Sequence, residues 1–178
     1  MQVIRYYDSP LGQLALAAED DALVGVWFEG QAHYGSTLAP DAAPGDCAAL
    51  RQTVRWLDTY FAGEIPGGEP PLHLTGTPFQ RTVWQTLRAI PYGQTISYGA
   101  LAREVAALTG KRPCARAVGA AVGRNPVSLI VPCHRVVGAD GRLTGYAGGL
   151  RRKEYLLELE RADLRPESRT ATQIRDYD

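Results

Sequence analysis

Residues 129–138 read Leu-Ile-Val-Pro-Cys-His-Arg-Val-Val-Gly, a run that places a thiol beside an imidazole and a guanidinium. Neighbouring positive groups favour the thiolate, which is the nucleophilic form of cysteine. The apolar residues 129–131 predict a buried strand or core segment, and Pro132 stiffens the backbone just before Cys133. Because free cysteines are often simply buried, a structural cysteine beside a surface His-Arg pair is the alternative.

A nucleophilic cysteine needs a proton acceptor, and His134 is the nearest candidate. Neighbouring side chains diverge on a strand, so a contact between Cys133 and His134 would be indirect, through a water molecule. A carboxylate behind His134 would fix its tautomer and raise its basicity. Glu154, Glu158 and Glu160 are the candidates, and the residues alone leave all three open.

The charge of the chain is divided unequally, although its net charge is zero. Residues 1–75 hold 3 basic and 10 acidic side chains, a net charge of −7, whereas residues 76–178 hold 16 and 9, a net charge of +7. Residues 81–153 alone carry 12 basic side chains against Glu104 and Asp140. Such a region is typical of a protein with a polyanion partner, nucleic acid above all, and a merely solvated basic face is the alternative.

Cysteine usage and hydropathy indicate the compartment. The three cysteines, Cys47, Cys114 and Cys133, contain no C-x-x-C pair, which argues against a disulfide scaffold and favours a reducing environment. The chain has no leader-like start and no apolar run of about 20 residues. We therefore expect a cytoplasmic protein with no membrane contact.

The first half of the chain predicts a small antiparallel sheet and one helix. Strands are predicted at 3–7, 14–18 and 22–28. Apolar side chains at helical spacing predict an amphipathic helix over 48–61. The Gly- and Pro-rich residues 63–71 predict a linker, so residues 1–75 are expected to form an amino-terminal domain.

Helices dominate the prediction for residues 76–163, the expected carboxyl-terminal domain. Thr77 and Pro78 are typical of a helix start, and this helix is predicted to run to Ile90. Ser97 is placed to cap the next helix.

Two short helices, 98–108 and 114–122, are predicted around a turn that contains Gly110, which makes them a helix-turn-helix candidate. The small side chains of the second helix allow either close helix packing or close approach to a DNA groove. Arg116 is the one long cationic side chain of that helix.

Residues 145–149 form a glycine-rich loop, Gly-Tyr-Ala-Gly-Gly. Backbone of this kind can approach a planar ligand closely and donate hydrogen bonds to it. A last helix is predicted over 150–161, and residues 164–178 are a polar tail that we expect to be disordered.

Five blocks carry a resemblance to a known family: Ser97-Tyr98, Ala115 to Gly119, Asn125-Pro126, Ile130 to Val136 and Tyr146 to Leu150. Together they resemble the O6-alkylguanine-DNA alkyltransferases, the methylated-DNA–protein-cysteine methyltransferase family, over almost all of residues 1–163. The family implies an α+β fold. A small ribonuclease H-like domain with an antiparallel sheet precedes a mainly helical domain that holds the helix-turn-helix and the active-site cysteine.

The resemblance also implies a role for each matching residue. Cys133 matches the alkyl acceptor, His134 the base that acts through a water, and Glu160 the carboxylate that orients the imidazole. Asn125 matches the residue that braces the turn before the nucleophile. Tyr98 matches the phenol that supplies a proton to the departing guanine.

For DNA, the resemblance implies that Arg116 enters the duplex and fills the space left by a flipped nucleotide. Further DNA-binding residues are expected at Ala115, Ala117, Gly119, Ala120, Arg124 and Arg135. The implied substrate pocket consists of Val136, Tyr146, Ala147 and Gly148, with backbone carbonyls at Cys133 and Val136 accepting from the guanine amino group.

We therefore expect a DNA repair protein that flips O6-alkylguanine, mainly O6-methylguanine, out of double-stranded DNA and moves the alkyl group irreversibly to Cys133. Each molecule would act once, as a monomer and without a cofactor. Side-by-side binding on DNA, acidic face against basic face, is a further hypothesis. The alternatives are an alkyltransferase-like or helix-turn-helix module that binds DNA without transfer, and a cysteine hydrolase, which would turn over.

Some features depart from the family pattern. Certain members bind zinc through an amino-terminal Cys/His set, but residues 1–75 offer only Cys47, His33 and His73, so no metal is expected. Ser128 and Ala147 stand where some relatives have proline and serine, and both are expected to line the pocket.

Overall fold

A computed structural model describes residues 1–164, so all but the first residue of the predicted tail lies outside the described part. The architecture is α+β, with a sheet in the first half of the chain and helices in the second. Among residues 1–164, every helix is too short or too polar to cross a membrane.

The amino-terminal sheet has four strands in the order β3-β2-β1-β4. The strands are β1 (Val3–Ser9), β2 (Gly12–Glu19), β3 (Ala22–Phe28) and β4 (Ala43–Pro44). The first three pair antiparallel in chain order, which confirms the predicted meander, and β4 adds a short parallel edge to β1.

One helix, α1 (Ala48–Phe61), packs its apolar side on this sheet and has the predicted bounds. Cys47, at its N-cap, makes no side-chain cap. Instead, the Asp21 carboxylate in the β2–β3 turn accepts a hydrogen bond from the N–H of Ala49 (2.9 Å). The β2–β3 turn thus provides a hydrogen-bond acceptor for a free backbone N–H in the first turn of the helix.

The second half contains α2 (Pro78–Arg88), α3 (Tyr98–Thr109), α4 (Ala115–Gly123) and α5 (Leu150–Leu164), which confirms the four predicted helices with ends shifted by up to three residues. Local capping explains their starts. Thr77 and Gln80 form a reciprocal capping box on α2, and the Ser97 hydroxyl accepts from the N–H of Ala100 on α3. Gly110 ends α3 in the left-handed conformation that glycine favours (φ 70°).

The larger hydrophobic core passes through both halves of the chain, from Leu57 on α1 to Trp84 on α2 and Leu101 on α3. Helices α2, α3 and α4 pack on one another, and the Trp84 indole donates to the carbonyl of Ala121 on α4 (2.8 Å). The two predicted domains share this core, and the boundary near residue 75 stays a prediction.

The free edge of β3 is covered by two segments from further along the chain. Leu23 N donates to Pro71 O (2.7 Å), and Val26 N donates to Pro126 O (2.9 Å). Ser128 N returns a bond to Val26 O (3.1 Å). The segment that leads to Cys133 is therefore held against the amino-terminal sheet by an isolated parallel bridge between Val26 and Val127.

A two-stranded parallel sheet, β5 (Ile96–Ser97) and β6 (Val136–Val137), lies on the other side of Cys133. It joins the start of α3 to the residues just after the cysteine. Tyr98 and Cys133 are thereby brought to one place.

Candidate active site

The turn before Cys133 is closed by the Asn125 side chain. Its Nδ2 donates to Val131 O (2.8 Å), and its Oδ1 accepts from Val127 N (3.0 Å). Within this turn Leu129 has a φ of +73°, a left-handed conformation that is strained for a non-glycine residue. Both ends of the turn are thus fixed, and the position of Cys133 is determined by buried hydrogen bonds.

Cys133 begins a 3₁₀ turn, Cys133–Arg135, directly after the apolar residues 129–131 that were expected to form a buried strand or core segment. Local bonds tighten the chain here: Cys133 N donates to Val131 O (2.8 Å), and Arg135 N donates to Pro132 O (3.0 Å). The three side chains of the turn therefore point to different surroundings. Cys133 itself is 4% exposed.

Cys133 lies on the wall of a cavity of about 150 Å³. The cavity lies between α3, α4 and the glycine-rich loop 145–149. Its lining consists of Tyr98, Gly119, Val122, Gly123, Cys133, Gly145, Tyr146 and Ala147. A reagent that reaches the thiol must enter this cavity.

The Cys133 thiol is less acidic than its sequence neighbours suggest. Burial raises its pKa, and the Asn125 hydrogen bond and the positive charge of Lys153 offset this only in part. Burial also lowers the pKa of His134, which favours a neutral imidazole, and Arg135 is turned away toward Glu160. In the resting site the neighbouring residues therefore do not bring the pKa of the thiol below its usual value, contrary to the expectation from the sequence. A nucleophilic Cys133 needs a proton acceptor.

His134, the candidate proton acceptor, is hydrogen-bonded to a buried carboxylate that accepts from four donors. Glu160 is 1% exposed, and its Oε2 is hydrogen-bonded to His134 Nε2 and to the Tyr60 hydroxyl (2.7 Å). Its Oε1 accepts from Arg135 Nε (2.7 Å) and from Gly93 N (3.0 Å). Burial opposes ionisation, but His134 and Arg135 outweigh it and lower the pKa of Glu160 to about 2. Of the three acids left open by the sequence, only Glu160 lies against His134.

A buried ammonium supports the other side of the site. Lys153, on α5, has no exposed surface, and its Nζ donates to the carbonyls of Val136, Thr144 (3.1 Å) and Gly145 (3.1 Å). Burial lowers its pKa to about 8, although the nearby Cys133 favours the charged form. Lys153 thus ties the glycine-rich loop to the strand that follows the cysteine.

Two phenols face the cavity. The Tyr98 hydroxyl lies 3.4 Å from the Thr144 carbonyl, and burial raises its pKa, so it stays protonated at neutral pH. The Tyr146 hydroxyl is buried next to Cys133, and burial raises its pKa well above the usual value. Both can donate a hydrogen bond to a group in the cavity.

Helix α4 borders the same cavity through Gly119. Arg116 lies in its first turn and Arg124 at its C-cap, and both are exposed. The other predicted DNA-binding residues of this helix are small and range from half-buried to exposed; they are Ala115, Ala117 and Ala120. The structure therefore joins a cation-bearing helix of the helix-turn-helix to the cavity that holds the thiol.

Arg135 was predicted to contact DNA, and the structure corrects this prediction. The side chain is buried, with its Nε on Glu160 and its Nη1 donating to the carbonyl of Ile90 (2.7 Å). A guanidinium held in this way cannot reach a phosphate.

Three predicted pocket residues also lie outside the cavity lining. Ser128 is 3% exposed, and its hydroxyl lies 3.5 Å from the Gln31 side chain. Gly148 is packed against the rings of Tyr146 and Phe28. Val136 is buried, and its carbonyl already accepts from Lys153. These residues lie behind the side chains that line the cavity, whereas Tyr146 and Ala147 line it as predicted.

The sequence did not identify Tyr60 and Lys153 as residues of the site. Tyr60 belongs to the apolar face of a predicted amphipathic helix, and Lys153 belongs to a helix whose polar side chains were expected to face solvent. No local signal distinguishes either from its neighbours, because both are defined by partners distant in sequence; Tyr60 and Glu160 are 100 positions apart.

Comparison with known proteins identifies the family. The profile described as "6-O-methylguanine DNA methyltransferase, ribonuclease-like domain" matches residues 3–66, and "6-O-methylguanine DNA methyltransferase, DNA binding domain" matches residues 78–162. A methylated-DNA–protein-cysteine methyltransferase of Mycolicibacterium paratuberculosis is 46% identical over 157 residues, covering 88% of this chain and 91% of the relative. The chain belongs to the O6-methylguanine-DNA methyltransferase family.

Other members of the O6-methylguanine-DNA methyltransferase family are similar over comparable lengths. The methylated-DNA–protein-cysteine methyltransferase of Methanosarcina acetivorans is 43% identical over 155 residues, covering 86% of this chain and 95% of the relative. The crystal structure of Mycobacterium tuberculosis OGT in complex with DNA has a TM-score of 0.77 and 44% identity, covering 90% of this chain and 94% of that one. The family resemblance and the α+β fold expected from the sequence are confirmed.

Within this O6-methylguanine-DNA methyltransferase family member, the DNA binding domain match spans α2 to α5 and contains Cys133, His134 and Glu160. The ribonuclease-like domain match contains Tyr60. The hydrogen bond between Tyr60 and Glu160 therefore connects the two matched regions at the buried carboxylate.

Proposed function

We propose that this protein repairs alkylated DNA by transferring the alkyl group of O6-alkylguanine, chiefly O6-methylguanine, to its own Cys133. The observation that carries the proposal is the position of Cys133, 4% exposed, in a cavity that α4 of the helix-turn-helix also lines. A thiol in this position can react with a single group extended from bound DNA. The relative crystallised with DNA, M. tuberculosis OGT, supports a DNA partner.

His134 is the proton acceptor in the proposed reaction. Its Nε2 is bonded to Glu160, whereas its Nδ1 is buried without a hydrogen-bond partner in the described residues. Nδ1 is therefore the atom that takes the Cys133 proton, through a bridging water. The ionised Glu160 then stabilises the imidazolium that forms.

The alkyl group moves in one displacement. The Cys133 sulfur attacks the alkyl carbon, the S–C bond forms as the C–O6 bond breaks, and the electron pair of the broken bond stays on guanine. Tyr98, which is protonated at neutral pH and lines the same cavity, donates a proton to the departing base. No step of this displacement requires a metal ion.

The target base must leave the duplex to reach this cavity, since an alkylated base inside a stack is inaccessible. Extrusion costs a few kcal/mol, less for a damaged pair. The small side chains of α4 allow the helix to approach a groove closely, and the exposed Arg116 can fill the space left by the base. Phosphate contacts supply affinity without sequence preference.

The product is a thioether, which water does not cleave under cellular conditions. Each protein molecule is therefore consumed by one transfer. This property separates the proposal from a cysteine hydrolase, whose acyl intermediate is released for another cycle.

The test is a mass measurement after mixing the protein with a duplex oligonucleotide that carries one O6-methylguanine. The expected result is a gain of one methyl group on the Cys133 peptide, at most one per molecule. Cys133→Ser should abolish transfer and retain DNA binding. Cys114→Ser, which changes an exposed cysteine outside the cavity, is the matched control and should transfer normally.

Two outcomes would overturn the proposal. DNA binding without any methyl gain would support a binding module that recognises damage and leaves it in place. Repeated release of guanine by one protein molecule would indicate a hydrolase.

A further inference from the structure

Tyr60 is a fully buried phenol on α1, outside the region matched by the DNA binding domain profile. Its ring stacks on Trp56, with centroids 5.2 Å apart and planes 8° apart. Phe61 and Tyr92 contact it edge to face, at 5.3 and 6.1 Å. Because three aromatic rings hold it, the location of its hydroxyl is fixed.

This hydroxyl donates to the oxygen of Glu160 that faces the imidazole. The Tyr60 Oη lies 2.7 Å from Glu160 Oε2 and 3.5 Å from His134 Nε2. The other carboxylate oxygen, Oε1, is held by Arg135 and by the backbone N–H of Gly93. Among the described residues, Tyr60 is therefore the donor that shares Oε2 with His134.

We propose that Tyr60 is a positioning residue for alkyl transfer, which holds the Oε2 atom of Glu160 ionised and aligned with His134. The inference rests on the function proposed above, since it concerns the same proton acceptor. It gives the amino-terminal half of the chain a part in the chemistry, beyond its contribution to the shared core.

The direction of the effect follows from the hydrogen bond. Burial and then the Glu160 charge raise the pKa of Tyr60 well above its usual value, so the phenol remains a donor throughout the working pH range. A donor to an ionised carboxylate stabilises the ionised form. Without this donor, the Glu160–His134 pair takes up a proton at higher pH, and the base is lost earlier as the solution is acidified.

Other charged and titratable groups face the pair and would remain in a Tyr60 variant. Arg135 binds Glu160 directly, and Tyr146 of the glycine-rich loop lies near it. Lys153 lies near His134, and Tyr92 lies beside Tyr60. In the natural protein and in a Tyr60 variant, these groups act equally on the acid limb, the pH range in which the transfer rate falls as the solution is acidified. The change between the two proteins therefore reports the phenol alone.

The experiment compares the single-turnover methyl-transfer rate of the natural protein with that of Tyr60→Phe, with protein in excess over the O6-methylguanine duplex. Rates are measured between about pH 5 and pH 9, the range that contains the titration of an imidazole-type base. Thr53→Val is the matched control, because it removes another fully buried hydroxyl of α1, which donates to the carbonyl of Ala49 (2.8 Å) within the same helix.

Tyr60→Phe should slow transfer about tenfold near neutral pH, the equivalent of one net hydrogen bond, and should move the acid limb to higher pH. Thr53→Val should leave the limb in place, whatever it does to thermal stability. In a Glu160→Gln background, Tyr60→Phe should have little further effect, because the phenol acts through the carboxylate.

A rate profile of Tyr60→Phe that superimposes on that of the natural protein would overturn the inference while leaving the proposed function intact. No transfer by the natural protein would instead defeat the proposed function. If Tyr60→Phe does not fold, 3,5-difluorotyrosine at position 60 keeps the shape and strengthens the donor. The acid limb should then move to lower pH, and an unchanged limb would count against the inference.

Discussion

The guanidinium of Arg135 lies against the carboxylate of Glu160, with Nε 2.7 Å from Oε1 and both side chains buried. This pair joins the 3₁₀ turn of the nucleophile to α5, and the second bond of Arg135, to the carbonyl of Ile90, adds the segment that follows α2. The residue two positions after Cys133 is thus a structural cation, whose charge is neutralised within the protein.

The first prediction concerns this ion pair. Arg135→Gln should destabilise the protein by about 3 kcal/mol, because it leaves a buried carboxylate without its cation. The slope of DNA affinity against salt concentration should not change, since Arg135 does not reach phosphate. Urea unfolding measures the first effect, and fluorescence anisotropy at several salt concentrations measures the second.

Arg124→Gln provides the opposite pattern and serves as the control. Its side chain is exposed at the end of α4, so the free energy of unfolding should be unaffected. The slope of log affinity against log salt concentration should fall by about one, the contribution of one phosphate contact. A reduced salt slope in Arg135→Gln with unchanged stability would contradict the structure.

Glu160 predicts a specific acid dependence of stability. Its pKa is lowered from the usual 4.5 to about 2 in the folded protein. The stabilisation is therefore complete above pH 4.5 and is lost as the pH falls from there toward 2, by about 3 kcal/mol in all. The difference in unfolding free energy between the natural protein and Glu160→Gln should shrink by that amount over this interval.

The control for this measurement is Glu154→Gln, a half-buried carboxylate on the same helix. Its unfolding free energy is compared with that of the natural protein over the same pH interval. Chemical denaturation at each pH gives both values. An equal acid dependence in the two variants would show that Glu160 is not the responsible group.

Lys153 predicts the reactivity of the thiol. Its charge partly offsets the burial that raises the pKa of Cys133, so Lys153→Met should raise that pKa further and reduce the thiolate fraction. Alkylation of Cys133 by iodoacetamide near pH 8 should then slow by roughly threefold or more. Peptide mass spectrometry follows the reaction, and the exposed Cys114 of the same molecule is an internal control that should react at an unchanged rate.

Much of the fold could be predicted because its signals are local. Thr77, Ser97 and Gly110 mark helix ends through bonds within a few residues, and α1 has the predicted bounds. The pairing of β3 with residues 126–128 could not be predicted, since it depends on how distant segments meet and no periodicity encodes it.

The residue types of the candidate site could be predicted from the sequence, but the directions in which their side chains point could not. Cys133, His134 and Glu160 do lie together, but Arg135, which was expected to contact DNA, is buried in the 3₁₀ turn. Burial, which the sequence raised only through the alternative of a structural cysteine, raises the pKa of the thiol that the positive neighbours were expected to lower. The four donors to Glu160 come from three separate parts of the chain, so only the folded structure assembles them.

The last prediction concerns Arg116, the exposed cation in the first turn of α4. If it fills the space of an extruded base, Arg116→Ala should slow methyl transfer from duplex DNA by about tenfold or more, because unstacking costs a few kcal/mol that the variant no longer offsets. The free base needs no extrusion, so the reaction with O6-methylguanine itself should be within about twofold of the natural rate. Arg103→Ala, which removes an exposed cation from α3, is the control and should preserve both rates. Equal slowing with the duplex and with the free base would mean that Arg116 acts on the chemistry or the fold, and the extrusion role would have to be abandoned.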